Sequence, residues 1–246
     1  MIVTIHSLVD KNRDVLLQLE KKLDYHFKDL SFLQKALIHS SFAFEQGELL
    51  NDDNETMEFL GDAVLDLAVG HGLYQYYPAM KEGDLTRLRA ALVNERHLAT
   101  MAKELGLGDY LLLGKGEEAS NGRGKPSILS CAFEAVMGAI FLDGGYAPAA
   151  ACAQQQFTPW FKKRQKTILQ ADAKSSLQEL LQERFNEAPR YVLEHSEGPD
   201  HAKTFFVTVR FRGEILGDGN APSKKEAEQR AAAMALLKVD TFDFSN

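Results

Sequence analysis

Apolar and polar positions along this chain follow two different periods. From about Val15 to Phe161 the apolar residues recur every three or four positions, the spacing of one face of a helix. Leu16, Leu19, Leu23 and Phe27 begin one such run, and Phe32, Leu33, Ala36 and Leu37 belong to a second. A third extends from Asn54 to about Tyr77, where Pro78 ends it. Gly83 and Asp84 open a helix over Leu85 to Val93, and another follows around Glu95 to Leu105. Ser127 to Leu142 is almost continuously apolar, with Ile128, Ala132, Ala135 and Ala139 lining one side. Between these runs, Glu45 to Asn54 reads as a polar loop. Gly114 to Lys125 holds glycines at 114, 116, 122 and 124 among charges and reads as a mobile loop.

The period changes after Trp160. Lys162, Lys163, Arg164 and Lys166 form a basic cluster, and the small polar stretch Gln170 to Lys174 reads as a linker. Ser175 to Phe185 is an amphipathic helix, and Tyr191-Val192-Leu193 a short strand. Thr204 to Arg212 alternates, with Phe205, Val207, Val209 and Phe211 on one face. Gly213-Glu214 turns into Ile215-Leu216-Gly217. A last helix opens at Pro222, where Ser223 and Glu226 have the spacing of a capping box. Its Ala227, Ala231, Ala232 and Ala235 make a small-residue face able to sit close on a sheet. The pattern predicts an all-α N-terminal domain over residues 16–146, a helix end and linker over 147–171, and a small α-β-β-β-α domain over 172–240.

Charge alters this picture in one place. In the third helical run Glu55, Glu58, Asp62 and Asp66 fall on one face at offsets of three and four, beside the apolar stripe Met57, Leu60, Val64 and Leu67. Like charges at that spacing cost a few tenths of a kcal/mol per pair. Gly61, mid-helix, costs about 1 kcal/mol against alanine and suggests a close backbone approach. A solvated acidic face and a divalent-cation site both remain open readings, and the concentration of local costs favours the cation. Glu134, set among Phe133, Ala135, Val136 and Met137, is a second acid that needs a partner or a metal. Glu58, Asp62 and Glu134 together offer hard oxygen donors suited to Mg²⁺ or Mn²⁺.

Overall composition narrows the rest. The net charge of −7 and pI near 5.5 argue against a generic polyanion binder, so any nucleic-acid contact comes from local basic patches or through metal ions. Cys131 and Cys152 are the only cysteines and have no zinc-type spacing, which predicts a reduced cytoplasmic protein. No apolar run approaches the length of a signal-peptide core or a membrane span.

The acidic helix, Asn54-Glu55-Thr56-Met57-Glu58-Phe59-Leu60-Gly61-Asp62, resembles the N-E-x-x-E-F-L-G-D signature of the bacterial ribonuclease III family. Ala36-Leu37-Ile38-His39-Ser40-Ser41 is similar to that family's A-L-x-H-x-S segment, Glu82-Gly83-Asp84-Leu85 to its E-G-D-L turn, and Leu88-Arg89-Ala90 to its L-R-A helix start. Lys125 to Ser130 leads into its second acidic motif. The C-terminal unit resembles the double-stranded-RNA-binding domain that follows the nuclease domain in that family. The resemblance implies an endoribonuclease that hydrolyses duplex RNA, leaving 5′-phosphate and 3′-hydroxyl ends, in ribosomal and messenger RNA processing. It implies Mg²⁺, with Mn²⁺ as a substitute, held at Glu58, Asp62 and Glu134, and catalytic roles for Asp62 and Glu134. Glu55 and Glu82 fall on supporting positions. It also implies a homodimer with the signature helix at the subunit interface.

One position departs from that pattern. The family's second motif reads D-x-x-E, and here it is Cys131-Ala132-Phe133-Glu134. A thiol is a soft ligand, poorly matched to Mg²⁺. Cys131 is an isolated substitution in an active enzyme, a variant that works with fewer ligands or a softer metal, or the mark of a cleavage-impaired dimer that binds duplex RNA. In the C-terminal unit Lys224 and Lys225 stand in the first turn of the last helix, where the dipole already favours phosphate. Gln178, Glu179 and the loop Gly198-Pro199-Asp200-His201 resemble the family's minor-groove contacts.

Overall fold

The computed structural model describes residues 3–47, 52–171, 173–199 and 202–238, excepting the side chains of 164–171. The chain divides into two compact units, Met1–Arg164 and Gln165–Asn246. In the first, α1 spans Ile5–Leu23, α2 Leu30–Ala36, α3 Ser40–Gln46 and α4 Glu55–Tyr76. Then come α5 (Glu82–Leu92), α6 (Glu95–Leu105), the short α7 (Lys115–Ala119), α8 (Pro126–Gly144) and α9 (Tyr146–Ala171), which runs past the boundary at Arg164.

α1 begins a full ten residues before the Val15 expected from periodicity. Thr4 and Ser7 form a reciprocal capping box, each side chain accepting the other's backbone N–H at 3.2 and 2.9 Å. Phe27, read as part of this helix, lies outside it. Asp24 turns the chain at φ 54°. The buried Glu20 carboxylate then accepts the Phe27 N–H at 2.6 Å. Asp143 fastens the same turn, accepting from Tyr25 Oη at 2.5 Å and from the Lys28 and Asp29 N–H groups at 3.0 and 2.9 Å.

The Gly114–Lys125 segment, expected to be a mobile loop, holds α7 and a 3₁₀ turn at Gly122–Gly124. Arg123 Nη1 donates to the Gly108 and Leu111 carbonyls at 2.8 and 2.9 Å, and Lys125 pairs with Glu117. Just before it, Leu112 bridges to Ile38 in parallel, with the His39 N–H donating to Leu112 O at 3.1 Å and Ser41 Oγ accepting the Gly114 N–H at 2.9 Å. The Ala36–Ser41 motif therefore anchors this segment against α2 and α3.

α8 packs on α4, α6 and α2 and is buried on nearly every side. Among the described residues it is the one helix long and apolar enough to cross a membrane, contrary to the expectation that no run reaches that length. Its contacts on several sides account for that composition, since a helix at the centre of a helical unit has no polar face to present. On α4 the buried positions are Met57, Gly61, Val64, Leu65, Ala68, Val69 and Leu73. Leu67, expected in the apolar stripe, is 60% exposed, because the face turned to α8 is centred on Gly61 rather than on Leu60.

In the second unit α10 spans Ala173–Phe185, followed by β1 (Arg190–Glu197), β2 (Thr204–Phe211), β3 (Glu214–Ala221) and α11 (Lys224–Lys238). The sheet is antiparallel in the order β1-β2-β3. Val207, Val209 and Phe211 face a core shared with Leu177, Leu181 and the alanines of α11. Gly217 and Gly219 let that alanine face approach the sheet backbone. A Cβ on Gly219 would lie 2.5 Å from the Ala227 carbonyl oxygen. At the helix start the Ser223 hydroxyl accepts the Glu226 N–H at 3.3 Å, one of the two bonds of the expected capping box.

Candidate metal centre and RNA-binding surface

Two glycines bring α4 and α8 into backbone contact. A Cβ on Gly61 would overlap the Glu134 carbonyl and stand 3.0 Å from the Gly138 nitrogen. A Cβ on Gly138 would overlap the Met57 carbonyl. The close approach expected from Gly61 is thus made by Glu134 and Gly138 of α8. Gly138 escaped the sequence reading, although a glycine in so apolar a helix was the available signal.

The crossing places Glu58 of α4 beside Cys131 and Glu134, one turn apart on α8. Ligand atoms of these three lie within 4.8 Å of one another, and all three residues are half-buried. Burial, together with the charges of Asp62 and Glu58, pushes the Glu134 carboxyl up to about 7. Burial also pushes the Cys131 thiol up to about 12, reinforced by its hydrogen bond to Glu58 and by the charges of Glu58 and Glu134. Two carboxylates so disposed repel each other, and a cation between them would offset the cost.

The remaining expected site residues lie outside this triad. Asp62 is exposed, one turn along α4 from Glu58, and is near enough to act on Glu134 by its charge. Glu55 is exposed in the first turn of α4. Glu82 begins α5 and accepts a hydrogen bond from Thr86 Oγ1 at 2.8 Å. It lines a groove of about 570 Å³ with Leu67, His71, Tyr74 and Arg89, into which the triad does not enter. Asn54, buried at the start of α4, donates through Nδ2 to Ala36 O at 3.3 Å and through its backbone to Ile38 O at 2.9 Å. It ties the acidic helix to the end of α2, a positioning role that periodicity does not reveal.

In the second unit Gln178 and Glu179 are exposed on α10, and Lys224 and Lys225 are exposed in the first turn of α11. Lys224 Nζ stands 5.9 Å over the Phe205 ring. His201 lies outside the described residues.

Known proteins match both units in order. The Ribonuclease-III-like family model matches residues 29–160, and the double-stranded RNA binding motif matches residues 173–239. A Ribonuclease 3 of Desulfotalea psychrophila is 57% identical over 241 residues, covering 98% of this chain and all of that protein. A Ribonuclease 3 of Syntrophobacter fumaroxidans is 47% identical over 230 residues, covering 92% of this chain and 95% of that one. Among solved structures, the nuclease domain of ribonuclease III from Campylobacter jejuni is 46% identical, with a TM-score of 0.54 over 59% of this chain and 95% of that domain. A second structure of that nuclease domain (46% identical, TM-score 0.53, 58% and 95% covered) concerns flexibility in its region involved in dimer formation. With a helical nuclease unit and a duplex-RNA-binding unit matched in sequence over nearly the whole length, this chain belongs to the ribonuclease III family, the endoribonucleases of double-stranded RNA.

Proposed function

We propose that the chain cleaves duplex RNA with Mg²⁺, Mn²⁺ serving as a substitute, at a site built on Glu58, Asp62 and Glu134, and that it acts as a homodimer in cytoplasmic ribosomal and messenger RNA processing. The observation that carries this reading is the convergence of Glu58 and Glu134 from two helices. Burial first, and then the charges of Asp62 and Glu58, raise the Glu134 carboxyl, a cost that a cation would offset, and carboxylate oxygens suit a hard divalent ion. The Cys131 sulfur is the one donor that does not. A bound divalent cation supplies charge for the scissile phosphate and makes a water more acidic, so that hydrolysis leaves 5′-phosphate and 3′-hydroxyl ends. Glu58 and Glu134 hold their oxygens toward each other across the α4–α8 crossing, and Asp62 offers an exposed carboxylate to the attacking water. Glu55 and Glu82 are assigned as supporting acids outside the triad.

Supporting the dimer, Phe59, Leu67 and Tyr74 are 81%, 60% and 69% exposed on α4, too much apolar surface to leave on one helix face without a partner. A two-fold pairing along this face would place two such sites on one duplex.

Cys131 sets the level of activity. Its thiol lies beside the Glu58 carboxylate, where an aspartate would instead add a hard donor. Cys131→Asp is expected to raise the rate of duplex cleavage in Mg²⁺ by at least about tenfold, with a smaller gain in Mn²⁺. Equal rates in both proteins would remove Cys131 as a lost ligand. Absence of cutting by both would favour the second reading, a duplex-binding dimer without cleavage.

Duplex binding itself is assigned to Gln178 and Glu179 of α10, to His201, and to Lys224 and Lys225 of α11. Replacing both lysines by alanine is expected to weaken binding and lower the slope of log affinity against log salt by about 1 to 2. An unchanged slope in a filter-binding titration would move the phosphate contacts elsewhere.

A further inference from the structure

We propose that Glu58, Cys131 and Glu134 form a site for a thiophilic divalent cation of the Zn²⁺ or Co²⁺ class, which competes with Mg²⁺ for the same two carboxylates. The inference deepens the nuclease reading, which places a cation at this crossing, by asking what the Cys131 sulfur adds to the two carboxylates.

The donor set is mixed, two carboxylates and one thiol, with all ligand atoms within 4.8 Å of one another. Zinc accepts sulfur and carboxylate donors together at bonds of about 2.0 to 2.3 Å, so modest side-chain rotation closes the triad onto one ion. Mg²⁺ gains little from sulfur, whereas for divalent ions at such donors Co²⁺ and Zn²⁺ stand above Mn²⁺. Partial burial matters as well. A half-buried triad is sheltered from bulk water yet leaves a coordination position open to solvent or substrate.

On binding, the metal–sulfur bond forms as the Cys131 S–H bond breaks and its proton passes to solvent. Nothing is oxidised or reduced. Cys152 is no alternative, because it is buried and its thiol donates to the Leu23 carbonyl at 3.4 Å. Occupation by the thiophilic ion takes Glu58 and Glu134 away from the hard ion.

The test uses the full-length, metal-free protein without RNA, titrated with Co²⁺ and followed by near-ultraviolet absorption. A sulfur-to-cobalt charge-transfer band is expected in the unaltered protein and in Cys152→Ala, weakening as Mg²⁺ is added. It should be absent in Cys131→Ser, with Co²⁺ affinity falling at least about tenfold. Cys131→Asp should bind Co²⁺ without the band, which separates loss of sulfur from loss of fold. A protein that binds Co²⁺ without the band, or a band that survives in Cys131→Ser, would overturn the proposal. Failure of the nuclease reading appears elsewhere, as no cleavage by Cys131→Asp in Mg²⁺, and leaves this spectrum unaffected.

Discussion

Gly61→Ala is expected to lower the melting temperature by about 10 °C or to prevent folding, for the sake of one methyl group. In an exposed helix the same change stabilises by about 1 kcal/mol. Here the new Cβ would overlap the Glu134 carbonyl and lie 2.5 Å from its carbonyl carbon. Backbone cannot rotate aside as a side chain can, so α4 and α8 must separate along their whole contact, the largest between helices in the unit. Overpacking of this kind costs about 3 kcal/mol or more. Any fraction that does fold would hold Glu58 farther from Glu134 and bind divalent metal weakly. Thermal unfolding within about 2 °C of the unaltered protein would contradict the crossing described above.

Glu134→Gln is expected to reduce duplex cleavage by at least about 100-fold while stabilising the metal-free protein at alkaline pH. The two effects have one origin. Burial beside Asp62 and Glu58 raises the folded-state affinity of Glu134 for a proton, moving its titration from 4.5 to about 7. A raised folded value means that the associated stability is fully present below pH 4.5 and is lost as pH climbs to about 7. At about 1.4 kcal/mol per tenfold change in proton affinity this is no more than about 3 kcal/mol, and partial solvation reduces it to about 1 to 2. Glutamine carries no proton to lose. The variant should therefore match the unaltered protein near pH 4.5 and exceed it at pH 8 when unfolding is measured in chelator. Adding Mg²⁺ should narrow or reverse the difference, since only the carboxylate gains from the ion. A stability difference independent of pH would refute this account of Glu134.

Much of this arrangement is legible in the amino-acid sequence. The acidic spacing on α4 and the isolated Glu134 pointed to each other because each was costly alone, and the alternation in β2 with the alanine face of α11 defined the second unit. What stayed hidden was long-range or conformational. Gly138 is half of the crossing, and its one local signal, a glycine in an apolar helix, does not say which helix it meets. Leu67 fits an apolar stripe on paper and faces outward because Gly61 rotates the contact face. The glycines and charges of 114–125 resemble flexible sequence, and the bonds that give the segment a shape, such as those from Arg123 to the Gly108 and Leu111 carbonyls, reach outside it. The early start of α1 depends on a Thr4–Ser7 pair too short to register as periodicity.

The contact at Gly61 and Gly138 has a last consequence, for how such a centre diversifies. Where two helices touch through main chain alone, no rotamer lies between them to loosen or tighten their separation. The backbone positions of the donors are then set in the folded protein, so a cation has only their side-chain rotations left to order. The identity of each donor is a separate matter, decided one side chain at a time on a frame that does not respond. Position 131 can thus exchange oxygen for sulfur, and the protein its preference among metals, with the architecture unchanged.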